Sequence, residues 1–297
     1  MLSARMRFVQ YLRKGDLAKR LGLLTDDHKS LLELGGIEGV PYDLKTLIAQ
    51  NPNLEEIAKK AEKQPKLLLN DDVTLLPPLS DPGKIICIGL NYQDHCDEQN
   101  KPAPKQPMFF SKYNNTLVGP LDDVVAHAIS NKIDWEVELV VVIGKVARQV
   151  PKEKAFDYVF GYSIAQDISA RDWQKERNGG QFLLGKSMDT FCPLGPAVVH
   201  KSEIKDVYDL PLKTWINGVE KQNGNTRDMI HKIDDVINRL TQSITLLPGD
   251  IILTGTPKGV GMYRDPPEYL KVGDVIKTEI VGLGTMTNQV VAPCKPN

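Results

Sequence analysis

The chain of 297 residues carries 37 lysines and arginines against 38 aspartates and glutamates, a formal net charge of -1, with 41% hydrophobic and 25% charged residues. That balance gives no electrostatic case for nucleic acid or an anionic membrane as partner. No apolar run approaches the ~18 residues that a membrane-spanning helix needs. The length suits one large domain or two smaller ones, each with a full core.

The chain opens MLSARMRFVQYLRKG, with two early arginines and no acidic residue before Asp16. This is a short echo of a mitochondrial presequence, and the missing apolar segment argues against a secretory signal. Within it, residues 7–12 alternate and predict a first strand. DLKTLIAQN and NLEEIAKKAEKQ predict two short helices, the second with Leu54, Ile57 and Ala61 on one face and closed by Pro65. The proline-rich stretch LLPPLSDPGK (75–84) reads as a linker. The expected division is a small N-terminal α/β domain over residues 1–78 and a second domain over 79–297.

From Lys84 onward the pattern becomes short strands between turns. KIICIGL, PMFFSK, VELVVVIGK, VFGYSIAQD, PAVVHK, LKTWING, DIILTG and VIKTEI all predict strands. Helical patterns are confined to ARDWQKERN and DMIHKIDDVINRLTQSI, the latter with Ile230, Ile233, Ile237 and Leu240 near helical spacing. Many strands with few inserted helices predict an α+β fold built as a β-sandwich or roll. Cys87, Cys96, Cys192 and Cys294 show no CxxC pair and no zinc spacing, and read as reduced intracellular thiols.

Several positions carry chemistry. In ICIGLNYQDHCDEQN, His95 and Glu98 would share one helical face, and a carboxylate that orients an imidazole makes a general base. The plain alternative is a surface histidine beside a surface glutamate. In DWEVELVVVIGK (134–145), strand alternation puts Glu136 and Glu138 on one face, close enough to share a cation. Further along, both faces of that strand look buried. Carboxylates at the mouth of a buried strand need a partner, and a hard cation such as Mg²⁺ is a natural one, a lysine or arginine another.

Asp167, where a strand gives way to a helix, is either a helix N-cap or a third metal carboxylate. Arg171 and Gln174 follow at helical spacing, where they could hold a substrate carboxylate or line a solvated face. Lys186, after an apolar run and a glycine, could stabilise an oxyanion or snorkel from a strand end. Thr256 lies in the Gly-rich turn of LTGTPKGVG and could bind a carboxylate. The motifs GxxxxGK(S/T), GxSxG and HExxH are absent, and GLGTMTN fails the dinucleotide fingerprint at Thr287.

In order, CIGLNYxDHxxE, MFFSK, WEVELVVVIGK, GYSIAQDISARDWQ, GKSMDTFCPLGP and LTGTPKGVG resemble the fumarylacetoacetate hydrolase superfamily over about residues 84–290. The wording of DWEVEL, SARDWQ and DTFCPLGP looks most like its domain-containing protein 2 group. The resemblance implies a mixed β-sandwich roll, usually a homodimer. It implies that Glu136, Glu138 and Asp167 bind metal, usually Mg²⁺ or Mn²⁺ and sometimes Ca²⁺. His95 and Glu98 would be the catalytic dyad on a short lid, Lys186 the active-site lysine, and Arg171, Gln174 and Thr256 substrate-facing.

The expected substrate is a small 2-oxo acid and the expected reaction oxaloacetate keto–enol tautomerisation. C–C hydrolysis of the acylpyruvase type and oxaloacetate decarboxylation are the alternatives, since one fold hosts all three. A non-catalytic metal-binding protein is the alternative of a different class. The same resemblance favours the mitochondrion, with the cytosol as the other choice.

Overall fold

A computed structural model describes residues 5–294, the side chain of Asn70 excepted. Residues 1–4 of the presequence-like opening lie outside the described residues. The fold is built on the run Val137–Ile143, whose β-branched, apolar composition suits a strand buried on both faces. All seven of its residues are buried. It pairs antiparallel with Val159–Gln166 on one side and Ile251–Leu253 on the other.

These strands are the middle of a 12-stranded mixed sheet. Past Ile251–Leu253 come Ile85–Gly89, paired parallel, and the edge strand Met108–Lys112. In the other direction Val159–Gln166 pairs with Cys192–His200, which pairs with Arg7–Arg13. The N-terminal strands Arg20–Leu24, Ser30–Glu33 and Lys66–Leu68 extend the same sheet. A separate five-stranded sheet runs in the order Val219–Asn225, Pro211–Ile216, Val275–Ile280, Gly284–Val291, Val124–Val125.

The two faces of the central strand go to different cores. Val137, Leu139 and Val141 pack with Leu212, Ile280 and Met286 of the second sheet and Ile237 and Leu240 of helix Ile233–Thr241. Val140 and Val142 pack with Phe8, Leu44, Leu47 and Ile57, which come from the first strand and the helices Leu44–Gln50 and Leu54–Ala61. The fold class is therefore α+β with a sandwich of two sheets, as the strand pattern predicts. Among the described residues no helix is long and apolar enough to cross a membrane.

Two expected helices differ from their sequence patterns. The helix expected over 228–244 starts only at Ile233, so Ile230 lies before it. In ARDWQKERN the chain makes a wide π-helical turn over Trp173–Arg177 rather than an α-helix. Such turns recur at functional sites.

Candidate active site

The strand Val137–Ile143 delivers its leading residues to the mouth of the sheet, where Glu136, Glu138 and Asp167 converge. One carboxylate oxygen from each lies within 4.8 Å of the others, and all three side chains are buried. Backbone register makes this meeting: Val137 pairs with Gln166, and the Asp167 N–H donates to the Glu136 carbonyl at 2.8 Å. Gln166 locks the corner, accepting from the Glu136 N–H and donating to Thr214 and Thr278. Asp167 caps no helix. It sits in the loop after its strand, while Asp172 caps the following turn.

Three cations share this charge. Lys186 Nζ bridges Glu136 Oε2 at 2.7 Å and Asp167 Oδ2 at 2.6 Å. Lys112 Nζ donates to Asp167 Oδ1 at 2.7 Å. Arg171 reaches Asp134 Oδ2 at 2.8 Å and Glu136 Oε1 at 2.6 Å. Burial opposes ionisation of Glu136, but Arg171 and Lys186 outweigh it and hold that carboxyl far below the usual range. Burial likewise opposes the charge on Lys186, and Asp167 and Glu136 overcome it, so the lysine stays protonated.

Glu138 is the exception. It has no lysine or arginine partner among the described residues, and its recorded donor is the Gly255 N–H at 2.7 Å. Burial, then repulsion from Asp167 and Glu136, push its carboxyl well above the usual range. A carboxylate this deep needs positive charge beside it. The site holds four buried acids (Asp134, Glu136, Glu138, Asp167) against three buried cations, so an added divalent cation fits. All-oxygen donors suit a hard ion.

Across the same pocket, the short helix Gln93–Glu98 presents the predicted histidine. His95 Nδ1 lies 2.5 Å from Glu98 Oε1, and Glu98 Oε2 accepts the Gly259 N–H at 2.9 Å. The proton positions follow from the chain of donors. Lys175, which can only donate, donates to the Tyr263 hydroxyl. That hydroxyl then donates to Gln99 Oε1 at 2.9 Å, and Gln99 Nε2 donates to His95 Nε2 at 2.8 Å. His95 Nε2 is therefore the acceptor and Nδ1 carries the hydrogen, the arrangement of a neutral base held by a carboxylate.

The pocket between these groups is about 260 Å³, at the small end of ligand sites. Glu136, Glu138, His95, Arg171, Gln174, Lys186 and Thr256 all line it. Thr256 is oriented by Gln222, whose amide donates to Oγ1 at 2.8 Å. The threonine proton is thereby left for the pocket. Gln174 accepts from Arg171 at 3.0 Å. Arg171 thus spends much of its guanidinium on Asp134 and Glu136.

Lys186 comes from the short helix Leu183–Lys186, not from a strand end. Gly185 lets that helix sit against the turn before it: a Cβ there would lie 2.5 Å from the Gln174 backbone nitrogen and 2.8 Å from the Ala170 carbonyl. Gly185→Ala is expected to cost about 1–3 kcal/mol of stability by overpacking, lowering the melting temperature and displacing Lys186. A melting curve unchanged from wild type would contradict this.

Lys112, Asp134, Lys175 and Tyr263 were not singled out by sequence pattern. Asp134 ties Arg171 to the turn before Tyr263, accepting from Arg171 and from the Gly261 and Met262 N–H groups at 2.6 and 3.0 Å.

The family described as fumarylacetoacetate (FAA) hydrolase C-terminal matches residues 84–291. Human oxaloacetate tautomerase FAHD2A, mitochondrial, is 44% identical over 288 residues, covering 96% of this chain and 92% of its own. Xenopus laevis oxaloacetate tautomerase fahd2, mitochondrial, is 43% identical over 288 residues, covering 96% and 90%. The solved fumarylacetoacetate hydrolase from psychrophilic Exiguobacterium antarcticum superposes with a TM-score of 0.85 at 34% identity, covering 97% of this chain and 99% of its own. The chain belongs to the fumarylacetoacetate hydrolase family.

Proposed function

We propose that this chain is a divalent-metal-dependent oxaloacetate keto–enol tautomerase. The observation that carries the reading is one small pocket lined by Glu136, Glu138 and an oriented neutral histidine, with Asp167 completing the buried carboxylate cluster. The relatives named oxaloacetate tautomerases add support, because the similarity runs over 96% of this chain.

In this reading Glu136, Glu138 and Asp167 would hold Mg²⁺, and the ion, when bound, would supply Lewis-acid stabilisation of negative charge on the substrate. His95 moves the proton. With Nδ1–H held by Glu98, Nε2 is the working base once the Gln99 amide gives way to substrate. It takes the proton from the enol hydroxyl, and a proton returns to C3. One O–H bond breaks, one C–H bond forms, and no proton is gained or lost overall. Lys186, held protonated, keeps positive charge beside the enolate. Thr256 and Gln174 offer polar contacts to the substrate carboxylate at the metal end.

The same reading places the protein in mitochondria, as the names of its relatives do for them, and makes it a homodimer. The edge strand Met108–Lys112 supports a self-contact: exposed Phe109 and Ile244 line one surface groove beside it, and a free apolar edge invites pairing. Light scattering at micromolar concentration reads the mass.

A direct comparison of substrates tests the reaction. Ketonisation of enol-oxaloacetate is expected to show a higher kcat/KM than cleavage of acetylpyruvate under the same Mg²⁺. Faster cleavage of acetylpyruvate would replace the tautomerase reading with the hydrolase.

A further inference from the structure

The charges around the pocket are unevenly matched. Arg171 and Lys186 line it, and both are engaged by Asp134, Glu136 and Asp167. Lys175 also lines it but has no carboxylate within ion-pair distance among the described residues. Its ammonium donates to the Tyr263 hydroxyl and lies 4.9 Å from the centre of that ring. It is half-buried on the π-helical turn, one residue beyond Gln174. Burial, and then the nearby Arg171 charge, lower its hold on its proton. A desolvated ammonium without an anion is an unfinished ion pair.

A ligand can complete it. A 2-oxo acid whose oxo and carboxylate oxygens point to the acidic trio would direct its far end elsewhere in the pocket. If that end is a second carboxylate, it needs a cation, because the trio itself repels it. We propose that Lys175, braced by Tyr263, binds the distal carboxylate and makes the pocket selective for dicarboxylic over monocarboxylic 2-oxo acids. This rests on the 2-oxo acid reading above and adds its specificity. Lys101 also lines the pocket but is exposed, so water screens it and its share is smaller.

The bracing matters as much as the charge. A free lysine side chain loses rotamer freedom when it binds. Here the hydroxyl and ring of Tyr263 already hold the ammonium, so little ordering remains to be done. The Tyr263 hydroxyl in turn faces Gln99, which covers the His95 acceptor nitrogen. The distal-carboxylate end of the pocket is thus next to the base.

The test uses two pairs of probes that differ by one carboxylate, malate against lactate and enol-oxaloacetate against enolpyruvate. Calorimetry on the Mg²⁺-loaded protein is expected to show malate bound at least about 10-fold tighter than lactate. Lys175→Met should erase that preference while Mg²⁺ affinity stays unchanged, which also reports an intact fold. Lys175→Arg should keep part of it. In kinetics, Lys175→Met should raise KM for enol-oxaloacetate about 10- to 100-fold, with a much smaller change in KM for enolpyruvate.

Equal binding of malate and lactate by wild type would overturn the proposal. So would a malate preference that survives Lys175→Met, even if enol-oxaloacetate is ketonised rapidly. If the preference exists and is lost in Lys175→Met, yet wild type does not accelerate ketonisation, the subsite stands and the tautomerase reading falls.

Discussion

Glu138→Gln is expected to abolish Mg²⁺ binding, and ketonisation with it, while the metal-free protein remains at least as stable as wild type. Most acidic-to-amide changes in a buried site would break an ion pair and destabilise the fold by about 3–5 kcal/mol. Glu138 differs from its neighbours because no lysine or arginine among the described residues forms an ion pair with it, and repulsion from Asp167 and Glu136 outweighs the attraction of Lys186. Glutamine keeps a carbonyl that can accept the Gly255 N–H and removes the charge that conflicts with the other two acids. Thermal unfolding with and without Mg²⁺ separates the two effects. At a ligand concentration of 100 Kd, wild type should gain about 2.7 kcal/mol, and the variant nothing. A variant that keeps the Mg²⁺-dependent rise would remove Glu138 from the ligand set.

The same residue sets a pH dependence. Its carboxyl in the fold holds a proton to higher pH than an ordinary glutamate, by burial first and then by its acidic neighbours. In the metal-free protein its contribution to stability is therefore greatest at low pH. That contribution falls as pH rises from about 4.3, the ordinary glutamate value, through the raised one. The ion has to displace this proton, so Mg²⁺ affinity should strengthen as pH rises over that range. Calorimetry in two buffers of different ionisation enthalpy reads the released proton, and its absence would contradict the assignment.

His95→Ala is the second large effect: kcat for ketonisation should fall by about 10²- to 10⁴-fold with Mg²⁺ affinity unchanged. Glu98→Gln should cost less, since an amide can still hold the ring but no longer favours its charged form. Loss of metal binding in His95→Ala would mean that the histidine acts on the ion's site, not on the proton.

The parts of this site that sequence makes legible are those set by short spacing. Alternation along one strand is enough to put Glu136 and Glu138 together, and three residues on a helix bring Glu98 to His95. Asp167 is ambiguous by the same local logic, because an aspartate at a strand end looks like a cap. Only the pairing of two antiparallel strands shows it facing the glutamates. Lys112 is less visible still. It stands in the quoted segment MFFSK, but nothing near it shows that its ammonium crosses to Asp167, 55 residues away in sequence.

Spacing beside Gln174 leaves Arg171 either substrate-facing or solvated, and only the fold shows that it lines the pocket while pairing with Asp134 and Glu136. At the level of the fold, apolar strands such as Val137–Ile143 announce themselves. Val219–Asn225, reading VEKQNGN, does not, because its strand form comes from pairing with Pro211–Ile216 rather than from its own composition.

The most direct test of the central claim follows the absorbance of freshly dissolved enol-oxaloacetate with the Mg²⁺-loaded protein, with pyruvate assayed in the same tube. The account predicts rapid loss of the enol, no pyruvate above the buffer rate, and return to the uncatalysed rate when the metal is chelated. Loss of enol no faster than in buffer, or loss matched by pyruvate, would contradict it.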